Sequence, residues 1–350
     1  MIGIRADAND VVATGHIMRC ITIAKQLIKL GEDVVFFLAD EYGVSMLKEN
    51  GLPYFVLHTN WENPIKEVPL LAQEVTNRQI HTILFDSYRM KKEYFNALKE
   101  TLPDMVRFAY IDDLFEDVYP VEILINYNAY YTKFPYETAY TAKTELCLGP
   151  SYVPLREEFG KSGMLDGSDN SVLLSCGGGD SLQSLYGILE TAVSDVRFPG
   201  TTFHVIVGRF HQNKERLEQL AAEHRNIILH HNVNNMAELM EQNCIAVSAA
   251  GTMLYELCAT KRPTVFFITA DNQRYDSDFF AEEERMIFAG DIRENRVECI
   301  NKILNGIDDL LNDSEKRTRM KEKLRQVTDG NGAKRIAEVL KTFVSLETQF

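Results

Sequence analysis

Two successive series of alternating strands and helices constrain this chain more than any other feature. In the first series, apolar runs at residues 2–6, 33–38, 54–57, 82–85, 107–111 and 123–126 read as strands. Helical stretches at 14–30, 43–50, 64–78 and 91–101 lie among them. The first helix shows the spacing well, with Ile17, Cys20, Ile21, Ala24, Leu27 and Ile28 recurring three or four residues apart. A second series has strands at 171–175, 202–207, 227–230, 245–248 and 264–268, and helices at 181–195, 214–224, 236–241 and from about 252. Amphipathic helices at 316–327 and 333–346 end the chain. Such alternation predicts parallel sheets covered by helices on both faces.

At 350 residues the chain exceeds one ordinary domain and fits two. The Gly-, Ser- and Asp-rich segment 160–170 is the expected linker. The organisation read from the sequence is therefore a Rossmann-like domain over 1–159, a linker over 160–170, a second Rossmann-like domain over 171–330 and a C-terminal helix over 331–350. Two α/β halves of this kind offer a cleft for a ligand.

The formal net charge is −14 and no basic block is present, which argues against nucleic acid and anionic membranes as main partners. A small anionic ligand remains compatible, because a pocket can be locally positive. No apolar run approaches the roughly 20 residues of a membrane helix, so no membrane insertion is expected. The chain enters a strand at once, with no N-terminal signal, and its six cysteines form no Cys-x-x-Cys pair. Reduced thiols and a cytoplasmic location are the expectation. The eight histidines show no ligand spacing, and the adjacent His230 and His231 would point to opposite faces of a strand. Neither a metal nor a cofactor is expected, and the oligomeric state is open.

Chemistry concentrates where strands hand over to helices. Gly15-His16 falls at the first such point. Open α/β sheets bind ligands at the carboxyl ends of their strands. A helix N-terminus there favours anions, a glycine permits close approach, and a histidine takes a proton near neutral pH. His16 therefore reads as a catalytic base beside an anionic substrate, against the plainer reading of a helix cap.

In the second half, Ser175-Cys176-Gly177-Gly178-Gly179-Asp180 and Ser248-Ala249-Ala250-Gly251-Thr252 both follow strands and precede helices. Their backbone N–H groups suit a diphosphate, though neither is a Lys-containing P-loop. Glu256, one turn into the following helix, can accept two hydrogen bonds from a ribose diol, or serve the helix dipole. Asp271-Asn272-Gln273 suits sugar hydroxyls or forms an Asx-type turn. Asp7, Asp86-Ser87-Tyr88, Asp112-Asp113-Leu114 and Asn126-Tyr127-Asn128 end strands on the sheet edge that carries His16. They either orient the histidine, hold a sugar or serve structure. The tyrosines of loop 126–141 read as packing before stacking on a sugar.

Taken in order, these motifs resemble one family. They are Arg5-Ala6-Asp7, Gly15-His16-x-x-Arg19-Cys20, Asp86-Ser87-Tyr88, Asp112-Asp113-Leu114, Gly149-Pro150-x-Tyr152-Val153-Pro154-Leu155-Arg156, Gly177-Gly178-Gly179-Asp180, Gly251-Thr252-x-x-Tyr255-Glu256-Leu257 and Asp271-Asn272-Gln273. The set, over about residues 2–335, is similar to the UDP-sugar hydrolases of the pseudaminic acid pathway, which remove UDP from a diacetamido-trideoxy sugar. Spore-coat polysaccharide relatives belong to the same group, and the glycosyltransferases that build the peptidoglycan lipid precursor are similar to it.

The resemblance implies the GT-B fold, with UDP held by the second half and the sugar by the cleft. It implies His16 and Asn272 as catalytic residues. Substrate or UDP contacts are then expected from Asp7, Gly15, Arg19, Tyr88, Gly177, Gly178, Gly179, Asp180, Ala250, Gly251, Thr252, Glu256, Asp271 and Gln273. Where family members often carry two glycines, this chain has Ala249-Ala250-Gly251, which leaves less room for a diphosphate at the backbone. The expected reaction is attack of a His16-activated water on the anomeric carbon, with inversion. A glycosyltransferase on the same fold and a non-catalytic nucleotide-sugar binding protein are the alternatives.

Overall fold

The computed structural model describes residues 1–8, 14–161, 167–176, 180, 182–208 and 214–345. The chain divides into two compact units, Met1–Arg156 with Asn331–Phe350, and Glu157–Gly330.

The first unit is built on seven strands: β1 (Ile2–Ala6), β2 (Val34–Leu38), β3 (Tyr54–Val56), β4 (Thr82–Asp86), β5 (Arg107–Ile111), β6 (Ile123–Asn126) and β7 (Glu145–Leu148). Their order is β3-β2-β1-β4-β5-β6-β7, and every pairing is parallel. β1, β2 and β4 are buried along their whole length, as parallel strands covered on both faces must be. The strand order reverses between β1 and β4, where Ala6 pairs with Asp86. That reversal opens a crevice at the carboxyl ends of the two strands. β7 was not among the expected strands. It is a four-residue edge strand, Glu-Leu-Cys-Leu, with only Cys147 buried, too short and too exposed for its period to register.

One side of this sheet is packed with rings. Phe85, Phe95 and Phe108 meet edge-to-face at 5.2–5.4 Å between Phe85 and its two partners, and Tyr94, Tyr110 and Tyr119 extend the cluster. Edge-to-face contact sets each ring's positive rim against a neighbour's negative face.

The second unit has six strands: β8 (Ser168–Ser175), β9 (Thr202–Val207), β10 (Ile227–His231), β11 (Asn243–Ala249), β12 (Thr264–Ile268) and β13 (Ile287–Asp291). Their order is β10-β9-β8-β11-β12-β13, again all parallel, with the reversal between β8 and β11. β8 begins within the segment expected to be linker, since Ser168 pairs with Asn243. Ser168, Asp169 and Asn170 are exposed, so their polar composition hid a paired strand. The edge strand β13 and the helices Arg274–Ala281 and Arg296–Asn312 were also not foreseen.

The last helix, Gly332–Ser345, packs in the first unit against helix Gly15–Lys29. Lys341 Nζ donates to Leu30 O at 2.6 Å and Arg335 Nη1 to Ser151 O at 2.9 Å. Its start requires glycine, because a Cβ at Gly332 would lie 2.2 Å from Val153 O. Among the described residues no helix is long and apolar enough to cross a membrane.

Candidate active site

His16 sits in the first turn of helix Gly15–Lys29, which follows β1 after residues 9–13 that lie outside the described ones. Its ring is buried against Asp86, the last residue of β4. His16 Nδ1 lies 2.6 Å from Asp86 Oδ1. At that distance from a carboxylate oxygen the proton belongs on Nδ1, so the neutral ring has its lone pair on Nε2. Tyr88 packs edge-on to the imidazole at 4.6 Å between ring centres, while its own surface is 42% exposed. A buried carboxylate fixing one ring nitrogen and leaving the other basic is the arrangement of an oriented general base.

Arg19, one turn along the same helix, completes the cluster. Its Nε donates to Asp86 Oδ2 at 2.6 Å and its Nη2 to Asp86 Oδ1 at 2.5 Å. Nη1 and Nη2 both reach Asp113 Oδ2 at 3.0 Å, and Nη1 also donates to Tyr127 Oη. A guanidinium has five N–H donors, and all five point at protein acceptors. Arg19, expected to contact substrate, thus forms an internal bridge between Asp86 and Asp113. Burial disfavours the Arg19 charge, yet Asp113 and Asp86 outweigh it and hold the group protonated. Burial likewise opposes ionisation of Asp86, but Arg19 and His16 win and keep its carboxyl well below the usual carboxylate range.

Asp113 is surrounded by donors. Tyr88 Oη reaches Oδ2 at 2.8 Å and Asn128 Nδ2 reaches Oδ1 at 2.8 Å. Burial, then Asp113, pushes the Tyr88 phenol far up, so it stays a donor. Burial also pushes up the Tyr127 phenol and the Cys20 thiol, whose Sγ lies 3.5 Å from Asp86 Oδ2. Asp112 turns away, accepting from the backbone of Leu114 and Phe115 and from Tyr136 Oη at 2.9 Å. Tyr136 and Tyr140 are buried in this part of the unit, in keeping with the packing role read from the sequence.

Asp7 lies in a different network. Its Oδ1 accepts from Ala39 N at 2.8 Å and its Oδ2 pairs with Arg5 Nη1 at 2.6 Å. Arg5 in turn holds Glu67 at 2.7 and 2.9 Å, and Tyr94 Oη donates to Glu67 at 2.8 Å. These bonds tie the carboxyl ends of β1 and β2 to the segment after β3. Both Asp7 oxygens are engaged internally, where a substrate contact was expected.

In the second unit, Gly177, Gly178 and Gly179 lie outside the described residues. Asp180 accepts from the backbone N–H of Ser184 and Leu185, both at 2.8 Å. It therefore caps helix Ser184–Val193, and a protein carboxylate fills the anion position expected for a diphosphate oxygen. After β11, Ala250 is buried and donates its N–H to Phe267 O at 2.8 Å, so that donor serves the sheet. Gly251 has φ of 142°, a conformation that disfavours any side chain, and leads into helix Thr252–Ala259. Thr252 is exposed and Glu256, one turn on, half-buried. Gln273 Oε1 folds back to accept from Thr269 N at 2.8 Å, which closes the turn after β12. Asp271 is exposed and pairs with Arg293 Nη2 at 2.8 Å. Asn272 lies in that turn, with its side chain outside the described ones.

The structure thus gathers His16, Arg19 and Tyr88 with Asp86, Asp113, Tyr127 and Asn128. The last four are read from the sequence as strand-end residues that orient the histidine, hold a sugar or serve structure, and the fold brings them into one cluster with it. Among the described residues no group of three or more His, Cys, Asp or Glu side chains is placed to hold a metal ion.

Residues 176–340 match the model of the glycosyltransferase family 28 C-terminal domain. The uncharacterised protein MJ1062 of Methanocaldococcus jannaschii is 25% identical over 292 residues, which are 78% of this chain and 56% of that one, so the match spans about half the relative's length. The UDP-2,4-diacetamido-2,4,6-trideoxy-beta-L-altropyranose hydrolase of Campylobacter jejuni is 24% identical over 279 residues, 80% of this chain and 95% of the relative. Among solved structures, MurG of Acinetobacter baumannii superposes with a TM-score of 0.67 at 13% identity, over 97% of this chain and 99% of that one. Two parallel-sheet units of seven and six strands, with glycosyltransferases as structural neighbours, make this a GT-B-like fold.

Proposed function

We propose that this protein hydrolyses a UDP-linked diacetamido-trideoxy sugar at its anomeric carbon, in the synthesis of pseudaminic acid or a related surface polysaccharide. The observation that carries the reading is the His16–Asp86 pair at the switch point of the first sheet, with Nε2 left as the basic atom. The Campylobacter hydrolase, similar along most of its own length, supports the substrate class.

In this reading His16 Nε2 takes a proton from water as the water oxygen attacks C1. The bond from C1 to the diphosphate oxygen breaks and UDP leaves with the electron pair. Entry opposite the leaving group inverts the anomeric centre. Asp86 keeps Nδ1 protonated, so only Nε2 accepts, and it stabilises the imidazolium that forms. In this reading the nucleotide is met by Gly251 and Thr252 at the start of helix Thr252–Ala259, on the diphosphate, and by Glu256, on the ribose.

A glycosyltransferase reading is favoured by the family 28 domain match and the likeness to MurG. There the same base would take its proton from an acceptor hydroxyl. The two readings part on one assay: purified protein is given UDP-linked diacetamido-trideoxy sugars with no acceptor, and nucleotide release is followed. UDP with an equal amount of free sugar is the expected result. Release only on addition of an acceptor makes the protein a transferase. His16→Ala should bind UDP normally and lose turnover, and turnover near the normal rate in that variant rules His16 out as the base.

A further inference from the structure

His16 is faced by charged and titratable groups from four places. Arg19 and Cys20 come from its own helix, Asp86 and Tyr88 from β4 and the turn after it, Asp113 from the end of β5, and Tyr127 from the end of β6. Three of these carry full charge. Arg19 Nη2 lies 3.1 Å from His16 Nδ1, and the same guanidinium joins Asp86 to Asp113. Two carboxylates against one guanidinium leave one negative charge beside a neutral imidazole. When the ring takes a proton, the buried cluster becomes neutral. In so buried a cluster the charges act on one another with little screening.

We infer that Arg19 and Asp113 are positioning residues that set the basicity of His16 through opposite charges, and that neither touches the substrate. The inference rests on the reading of His16 as the base. Every Arg19 donor is spent on Asp86, Asp113 and Tyr127, and both Asp113 oxygens are spent on Arg19, Tyr88 and Asn128. The bridge leaves Asp86 charged for His16 Nδ1, while Asp113 offsets the cation that would otherwise oppose proton uptake. Asp113 is thus worth a negative charge to a base that it does not contact.

The two residues act with opposite sign, and this separates the inference from a merely structural role. The probe is the His16 ring itself, followed by nitrogen-15 NMR of labelled full-length protein across pH without substrate. Asp113→Asn removes a negative charge and should move the ring's titration midpoint down by about one pH unit. Arg19→Gln removes a positive charge and should move it up by a similar amount. Arg19→Lys keeps the charge and should stay close to the unaltered protein. Tyr88→Phe removes one donor from Asp113 with no charge change, is the mildest variant to fold, and should move the midpoint slightly up. In the nucleotide-release assay the acid limb of the rate profile should move in the same directions, with the KM for the UDP-sugar little changed.

Midpoints that move the same way in Arg19→Gln and Asp113→Asn, or move in neither, overturn the inference. If either of these two fails to fold, a downward or absent shift in Tyr88→Phe overturns it. The failure of the functional reading is distinct, because the ring titrates without turnover. Signed shifts in a protein whose His16→Ala variant still hydrolyses would leave the charge bridge in place and remove His16 as the base.

Discussion

Replacing Asp86 by asparagine tests the base more sharply than removing the histidine. Asp86 accepts from His16 Nδ1 at 2.6 Å, from Arg19 Nη2 at 2.5 Å and from Arg19 Nε at 2.6 Å, and offers no donor. An amide of the same shape has one acceptor oxygen and one NH2 group. Turned with its oxygen to His16, it sets its NH2 against Arg19 Nε. Turned the other way, it donates to His16 Nδ1 and drives the ring proton to Nε2, the atom that must be bare. Either way one donor faces another, and the ring keeps its basic atom only by breaking the Arg19 contact. Loss of a correctly placed base costs roughly 10²–10⁴ in rate, about 3–5 kcal/mol of transition-state stabilisation. We expect Asp86→Asn to lower kcat for nucleotide release within that range, with UDP affinity by calorimetry near normal. Circular dichroism and thermal unfolding establish that the variant is folded. A folded variant within tenfold of the unaltered rate refutes the tautomer argument. The same carboxylate gives a pH signature. Its folded pKa lies below the unfolded one, so its contribution to stability is full above about pH 4 and is lost as pH falls below that. Asp86→Asn should flatten the acid side of the stability profile measured by denaturant titration.

Three further outcomes test the scaffold. Gly332→Ala places a Cβ 2.2 Å from Val153 O, so thermal unfolding should show a loss of about 1–3 kcal/mol, with the C-terminal helix exchanging its amides faster. Phe95→Ala empties the centre of the ring cluster and should cost about 3–5 kcal/mol by denaturant titration, since Phe95 is fully buried among Phe85, Phe108, Tyr110 and Tyr119. Asp180→Ala uncaps helix Ser184–Val193, and a loss of about 0.5–2 kcal/mol with UDP affinity unchanged is the outcome for a cap; a large fall in UDP affinity with stability intact would make Asp180 a ligand contact instead.

The strands that are buried on both faces were legible because burial writes itself as an unbroken apolar run. β1, β5, β6, β9 and β12 carry the bounds expected of them, and His16 at the start of the first helix follows from its place after the first strand. Strands that are exposed or at an edge left little trace: β7 has one buried residue, and β8 begins with three exposed polar ones. Residue type also showed which side chains had chemistry to offer, but it did not say to whom. Asp7, Arg19, Asp180 and Gln273 have the groups that bind a sugar diphosphate, and in each case the fold brings a protein partner to that group first. Asp86 lies 70 and 67 positions from His16 and Arg19 on the first helix, and Asp113 lies 94 from Arg19, spans no local period can encode. Sequence by itself fixed the strand-and-helix series and the histidine at its first turn, because both depend on neighbours along the chain. Only the tertiary structure decided which carboxylate orients that histidine and which arginine stands between two acids, because those depend on parallel strands laid side by side.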